Sequence, residues 1–501
     1  MTFLGSTATT GLAQLVGTNA AEEFSNDVIF LEPDDNADTE TVPEAQSDFI
    51  EPVLPDETPA EDVPADSSSD TAPETSSYIE RFQEGLEHYR EGNDELAIEE
   101  FNAAIGLNPE YAPAYLFRGA AFARLENTSA ALNSYNAALS IDSEYSAAYL
   151  NRGILYYDLQ APDLALEDFD RAIATDPNSA TAYIYRGLLD SERGNYQTAL
   201  EYLNDAVLID PNQASAYFHR GLIFKALDDQ EMAVNEFTKA INRQDNYAAA
   251  FLNRGVAHYR LSTMAAALAD FDQAIDIDDT NLEAYYNRSF VLLAQARPKA
   301  ALEDLNTVLT LDPGYADAYL IRGQIYASAG NTEAAISNFN QTLELTPNSA
   351  EAYYGRGKAY MIGGEQQIAV ADFTNALTLN PNHAPSYKSR GDAFANLGNS
   401  MNAIGDYTTA IDLDASYWDA YASRGRTHYE TGNYEDAYVD FSRVIAANAM
   451  DPDAYYYRGI TNALLDNTSA AEADLEKAGS LYLNNNEAER YRLVLDALNK
   501  L

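Results

Sequence analysis

Residues 112–145, APAYLFRGAAFARLENTSAALNSYNAALSIDSEY, and 146–179, SAAYLNRGILYYDLQAPDLALEDFDRAIATDPNS, align over 34 positions without a gap. Both carry Tyr at position four, Arg-Gly at seven and eight and Ala at twenty. Outward from this pair the dipeptide recurs at Arg118, Arg152, Arg186, Arg220 and Arg254, then at Arg322, Arg356, Arg390, Arg424 and Arg458. Arg288-Ser289 fills the one gap, so every step is 34 residues or a multiple of 34. Internal identity at such a period is the signature of a stacked repeat array. With the glycine at position eight, repeats begin at residues 78, 112, 146, 180, 214, 248, 282, 316, 350, 384, 418 and 452. The chain therefore divides into a segment 1–77, twelve repeats over 78–485 and an end piece 486–501, with no stretch left for a separate catalytic domain.

Each repeat reads as two helices. The aromatic at position four and the small residue at eight share one face of the first, and a large ring beside a missing side chain admits a close neighbour. Ala at position twenty, an aromatic or Leu at 24 and apolar residues at 27 and 28 form one face of the second. Gly92, Gly194, Gly330, Gly364, Gly398 and Gly432 fall between the helices, where a left-handed residue ends the first. Pro109, Pro177, Pro211, Pro313, Pro347 and Pro381 stop the second. Position 23 is acidic in most repeats, for example Asp168, Asp270, Asp304, Asp372 and Asp406, and predicts an arginine–carboxylate staple within or between repeats. A ladder of arginines gripping an anionic ligand is the competing reading.

This pattern resembles the tetratricopeptide repeat over residues 78–485, with Arg at position seven where the family more often has Leu; Arg-Gly versions are a familiar bacterial-looking subtype. The resemblance implies an all-α solenoid, a right-handed superhelix of helix-turn-helix units whose first helices line a concave groove for partner peptides or helices. Under that reading the groove takes position five, with Phe82, Leu116, Leu150, Ile184, Phe218, Leu252, Tyr286, Leu320 and Tyr354. Position nine adds Leu188, Leu222, Val256 and Phe290, and cations follow at Lys358, Lys388 and Arg426. The competing reading is that these aliphatics pack against the next repeat. The three cations lack the asparagine partners of the chaperone-tail clamp, and Asn151, Asn253 and Asn287 at position six are too sparse for an asparagine ladder. In the end piece, Tyr491, Val494, Leu495, Leu498 and Leu501 share one helical face and are expected to cap the last repeat.

Composition narrows the function. The chain has 79 Asp+Glu against 30 Lys+Arg, a formal charge of −49. With no basic surplus anywhere, nucleic-acid binding is not expected. No apolar run of the ~18 residues needed for a span occurs, so no membrane insertion is expected. Absence of cysteine excludes disulfides and Cys-type zinc sites. The five histidines form no i,i+4 metal pair, and neither a Walker loop nor a GxSxG elbow occurs, so neither metal, cofactor nor enzymatic activity is expected. Residues 1–77 hold Asp and Glu but no Lys or Arg, with seven of the 18 prolines, and read as a disordered acidic tail. Residues 1–14 are similar to the end of a secretory leader, so cytoplasmic and extracytoplasmic locations both fit. The expectation is a non-enzymatic scaffold for protein partners; the alternative is a structural component of a bacterial envelope or secretion machine tethered by its tail.

Overall fold

The structure, a computed structural model, describes residues 73–501. The acidic tail and the leader-like segment lie outside these residues, apart from residues 73–77, which open the first helix. Twenty-five α-helices make up the described chain, from α1 (Pro73–Arg90) and α2 (Asp94–Leu107) to α24 (Thr468–Asn484) and α25 (Ala488–Leu498). Every regular element among the described residues is a helix. The helices fall into two units, one over residues 73–279 and one over 280–501. The first ends with α12 (Met264–Ile277) and the second begins with α13 (Leu282–Ala294). Odd-numbered helices are the first helices of the repeats and even-numbered ones the second. Within each unit consecutive helices pack antiparallel, and neighbouring first helices approach each other more closely than neighbouring second helices do. The first helices are thus the inner layer of each unit.

Two kinds of turn keep the period at 34. Between the helices of a repeat, position fifteen is left-handed throughout. The six glycines expected there have φ from 73 to 83°, and Glu126, Gln160, Asp228, Ser262, Ala296 and Asp466 hold the same conformation. Between repeats, an Asp or Asn closes an Asx turn: Asp142 Oδ1 accepts from the Glu144 N–H at 2.9 Å, as Asp176 does from Asn178.

Packing is tight where the sequence is most regular. Position twenty, from Ala97 and Ala131 to Ala437 and Ala471, is 0 % exposed in all cases. The ring that fills the space over the position-eight glycine comes from position 24 of the second helix, not from position four. A Cβ on Gly357 would lie 2.8 Å from the Phe373 ring, and one on Gly119 2.5 Å from Tyr135. The position-four ring instead lies beside the arginine three residues on: the guanidinium carbon sits 5.0 Å from the Tyr115 centroid in Arg118 and 5.4 Å from Tyr353 in Arg356.

The C-terminal cap faces differently from expectation. Val494 is buried, and Tyr491, Ala497 and Leu498 pack with it on the last repeat. Leu495 and Leu501 point away, 41 % and 43 % exposed. Apolar residues occupy most of this short helix, so the buried side was not determined by their presence alone.

Candidate functional site

The arginine column joins three helices by hydrogen bonds at most steps; Arg186 instead bonds Asp170 and, on its own helix, Asp190. Arg152, Arg254, Arg288, Arg356, Arg390, Arg424 and Arg458 each donate Nε and Nη2 to the two oxygens of the Asp at position 23, as in Arg356–Asp372 at 2.8 and 2.7 Å. The third donor, Nη1, reaches position 25 of the preceding repeat: Asn102 from Arg118 at 2.8 Å, Asn306 from Arg322 at 2.7 Å and Thr408 from Arg424 at 3.0 Å. This inter-repeat acceptor escaped the sequence reading, although position 25 is Asn, Asp, Thr or Ser at every interior step, a periodicity that marks it. With the fork satisfied inside the stack, the arginines are structural rather than a ladder for an anion. Bonding to Asp372 raises the Arg356 pKa, whereas Arg118, facing Ser134, is lowered by burial. The first repeat has Glu84 at position seven, and there Arg81 takes over, bonding Glu100 at 3.0 Å.

The apolar residues expected in a groove divide by exposure. Phe82, Leu116, Leu150, Ile184, Phe218, Tyr286, Leu320 and Tyr354 at position five are buried, as are Leu188 and Phe290 at position nine. Leu150 and Ile184 are covered by position 24 of their own repeat and by the next first helix, and the aromatic ones also by the loop that ends the repeat. Phe82 meets the Phe101 ring of its own repeat and the Tyr111 ring of that loop at 5.8 and 5.2 Å, and Phe218 meets Phe237 and Tyr247 likewise. The continuous apolar strip is therefore largely stacking surface. Leu252 at position five and Ile154, Leu222 and Val256 at position nine remain half-buried.

The expected cations are each engaged locally. Lys358 is buried with Nζ 5.6 Å from the Tyr354 centroid. Lys388 Nζ lies 2.8 Å from Asp392; burial alone would lower its pKa, but the carboxylate outweighs this and raises it. Arg426 is exposed, its guanidinium 5.2 Å from the Tyr457 ring centre. Lys225, which the sequence reading did not single out, donates to Asn253 Oδ1 at 3.1 Å. The position-six amides are tied down by their own helices: Asn151, Asn253 and Asn287 each donate Nδ2 to the carbonyl four residues back.

Among the described residues no group of His, Asp and Glu is placed to hold a metal ion, and no helix is long and apolar enough to cross a membrane.

A stack of paired helices with a periodic internal staple defines a helical repeat protein. Tetratricopeptide-repeat profiles match residues 82–147, 146–179, 228–281, 282–315, 323–363, 350–383 and 388–441, together more than half of the chain. The chain belongs to the tetratricopeptide repeat family. Among solved structures it is similar to YrrB, described as a TPR protein with an unusual peptide-binding site, at 23% identity, covering 37% of this chain and 95% of that one, TM-score 0.33. A tetratricopeptide repeat protein from Parabacteroides merdae matches at 20% identity, covering 50% and 98%, TM-score 0.39. The Cut9–Hcn1 hetero-tetramer of the APC/C matches at 13% identity, covering 84% and 96%, TM-score 0.39. No curated protein sequence matches the chain.

Proposed function

We propose that the chain is a non-enzymatic scaffold of twelve tetratricopeptide repeats of the bacterial Arg-Gly type, binding segments of partner proteins along its first helices. The observation that carries this reading is the set of half-buried aliphatics on the inner layer, Ile154, Leu222, Leu252 and Val256, flanked by buried stacking residues. Apolar side chains left partly open on a rigid surface favour a partner that covers them. The surplus of carboxylates favours a cationic partner and speeds its encounter at low salt.

The test compares the full chain with a Leu222→Glu, Val256→Glu variant as bait in native extract, after circular dichroism and melting show both folded alike. Both positions are half-buried, so the variant alters the inner surface rather than the stack. Proteins captured by the wild type and lost by the variant support the reading. Identical capture by both overturns it.

A further inference from the structure

The first three repeats surround a partly open cavity of about 60 Å³ lined by Tyr89, Tyr135, Asn151, Ile154, Leu155 and Asp158. It lies on the inner layer, between α1, α3 (Ala112–Arg124) and α5 (Ser146–Asp158), with Tyr135 entering from α4 (Thr128–Ile141). It exists because two residues of α3 that border it, Ala120 and Ala123, are small.

Tyr135 is the unexpected member. Position 24 is Phe or Leu in every repeat except two, which have Tyr135 and Tyr407. Tyr407 donates its hydroxyl to Asp392 Oδ1 at 2.8 Å, and Asp392 holds position nine of the same repeat. In the second repeat position nine is Ala120, so that acceptor is missing. Tyr135 is 2 % exposed, and its hydroxyl makes no hydrogen bond with any described residue. The ring is buried, while the hydroxyl oxygen itself stays open to the cavity.

The other polar groups at the cavity offer lone pairs, as the Tyr135 oxygen does beside its own proton. Asn151 spends Nδ2 on the Ala147 carbonyl at 2.7 Å, which leaves Oδ1. Asp158, exposed at the rim, has no hydrogen-bond or ion-pair partner among the described residues, and burial on its inner side raises its pKa. Three oxygens around a small space with aliphatic and tyrosine-ring walls match a compact head with three donors on a methylene stem. That is an ammonium; the wider, planar guanidinium has a different fork.

We propose that this cavity receives the ammonium group of a lysine side chain on the bound partner segment, with Tyr135, Asn151 and Asp158 as its acceptors. The assignment rests on the partner-binding reading of the first helices and gives that partner its chemistry. A formal charge of −49 suits a lysine-bearing segment.

The experiment titrates the full chain with acetyl-Gly-Lys-Gly-amide, with its Nε-acetyl-lysine counterpart and with butylammonium, by calorimetry and NMR. The lysine peptide is expected to bind at least tenfold tighter than the acetylated one. Tyr135→Phe, which restores the residue common at position 24, and Asp158→Asn are each expected to weaken it about tenfold with no loss of melting temperature. Equal binding of the two peptides, or an unchanged affinity in Tyr135→Phe, overturns the proposal. Butylammonium binding as tightly as the lysine peptide overturns the assignment to a protein segment in favour of a free amine. If the lysine peptide fails to bind while capture still depends on Leu222 and Val256, the cavity assignment falls and the groove reading stands.

Discussion

Arg356 reaches out of its own repeat to donate Nη1 to Asn340 at 2.7 Å, while its other two donors hold the buried Asp372. The same side chain thus closes a helix pair and fastens it to the pair before. Arg322 is arranged in the same way but faces the neutral Asn338 at 2.7 Å.

That contrast predicts unequal losses. Arg356→Met leaves an uncompensated buried carboxylate and should cost about 3 kcal/mol. Arg322→Met leaves an amide and should cost about 1 kcal/mol. Urea unfolding of the two variants measures both, and equal losses would show that charge plays no part in the staple.

Ala296 holds φ of 56° where six other repeats have glycine. A left-handed alanine is strained relative to glycine, so Ala296→Gly should raise stability by about 0.5–1 kcal/mol despite the greater freedom of the unfolded glycine. A lower melting temperature would contradict this.

Burial lowers the imidazole pKa of His219 to about 4, and its Nδ1 has no hydrogen bond. The unfolded imidazole, with a pKa of about 6.5, takes up a proton first as the pH falls. Stability from this group is therefore complete above that value and lost progressively down to about 4, reaching about 1 kcal/mol at pH 5.5. His219→Phe should remove this part of the acid sensitivity. Urea midpoints of both proteins at pH 7.5 and 5.5 decide it: the wild type should lose more, and equal losses count against a buried neutral imidazole.

Ala267 is fully buried at position twenty. Ala267→Leu overfills the contact between the two helices of its repeat and should cost about 1–3 kcal/mol. An unchanged melting curve would mean that this face is not packed as described.

Positions constrained by one short-range requirement were legible from the sequence. Ala97 and its equivalents admit nothing larger, Gly92 and its equivalents supply a left-handed turn, and Arg152 and Asp168 recur together. Position five was harder to read. Phe218 lies on an apolar face, but whether that face meets a partner or the chain itself depends on Tyr247, nearly thirty residues later and outside both helices. The capping helix posed a similar difficulty, since Leu495 and Ala497 are both apolar and only contact with Gly479 and its neighbours selects the side. For the candidate site, helical periodicity placed the inner layer but not the cavity, which depends on what Ala120 omits.

The reach of each arginine gives the array a grain. Arg118 needs Ser134 in its own repeat and Asn102 in the one before, and nothing from the one after. The opening repeat, with no predecessor, has Glu84 in place of that arginine. A chain emerging from the ribosome N-terminus first can therefore complete each of these links as soon as the repeat is made. Every new pair of helices finds its anchor already folded behind it, and no arginine at position seven waits for a repeat not yet synthesised.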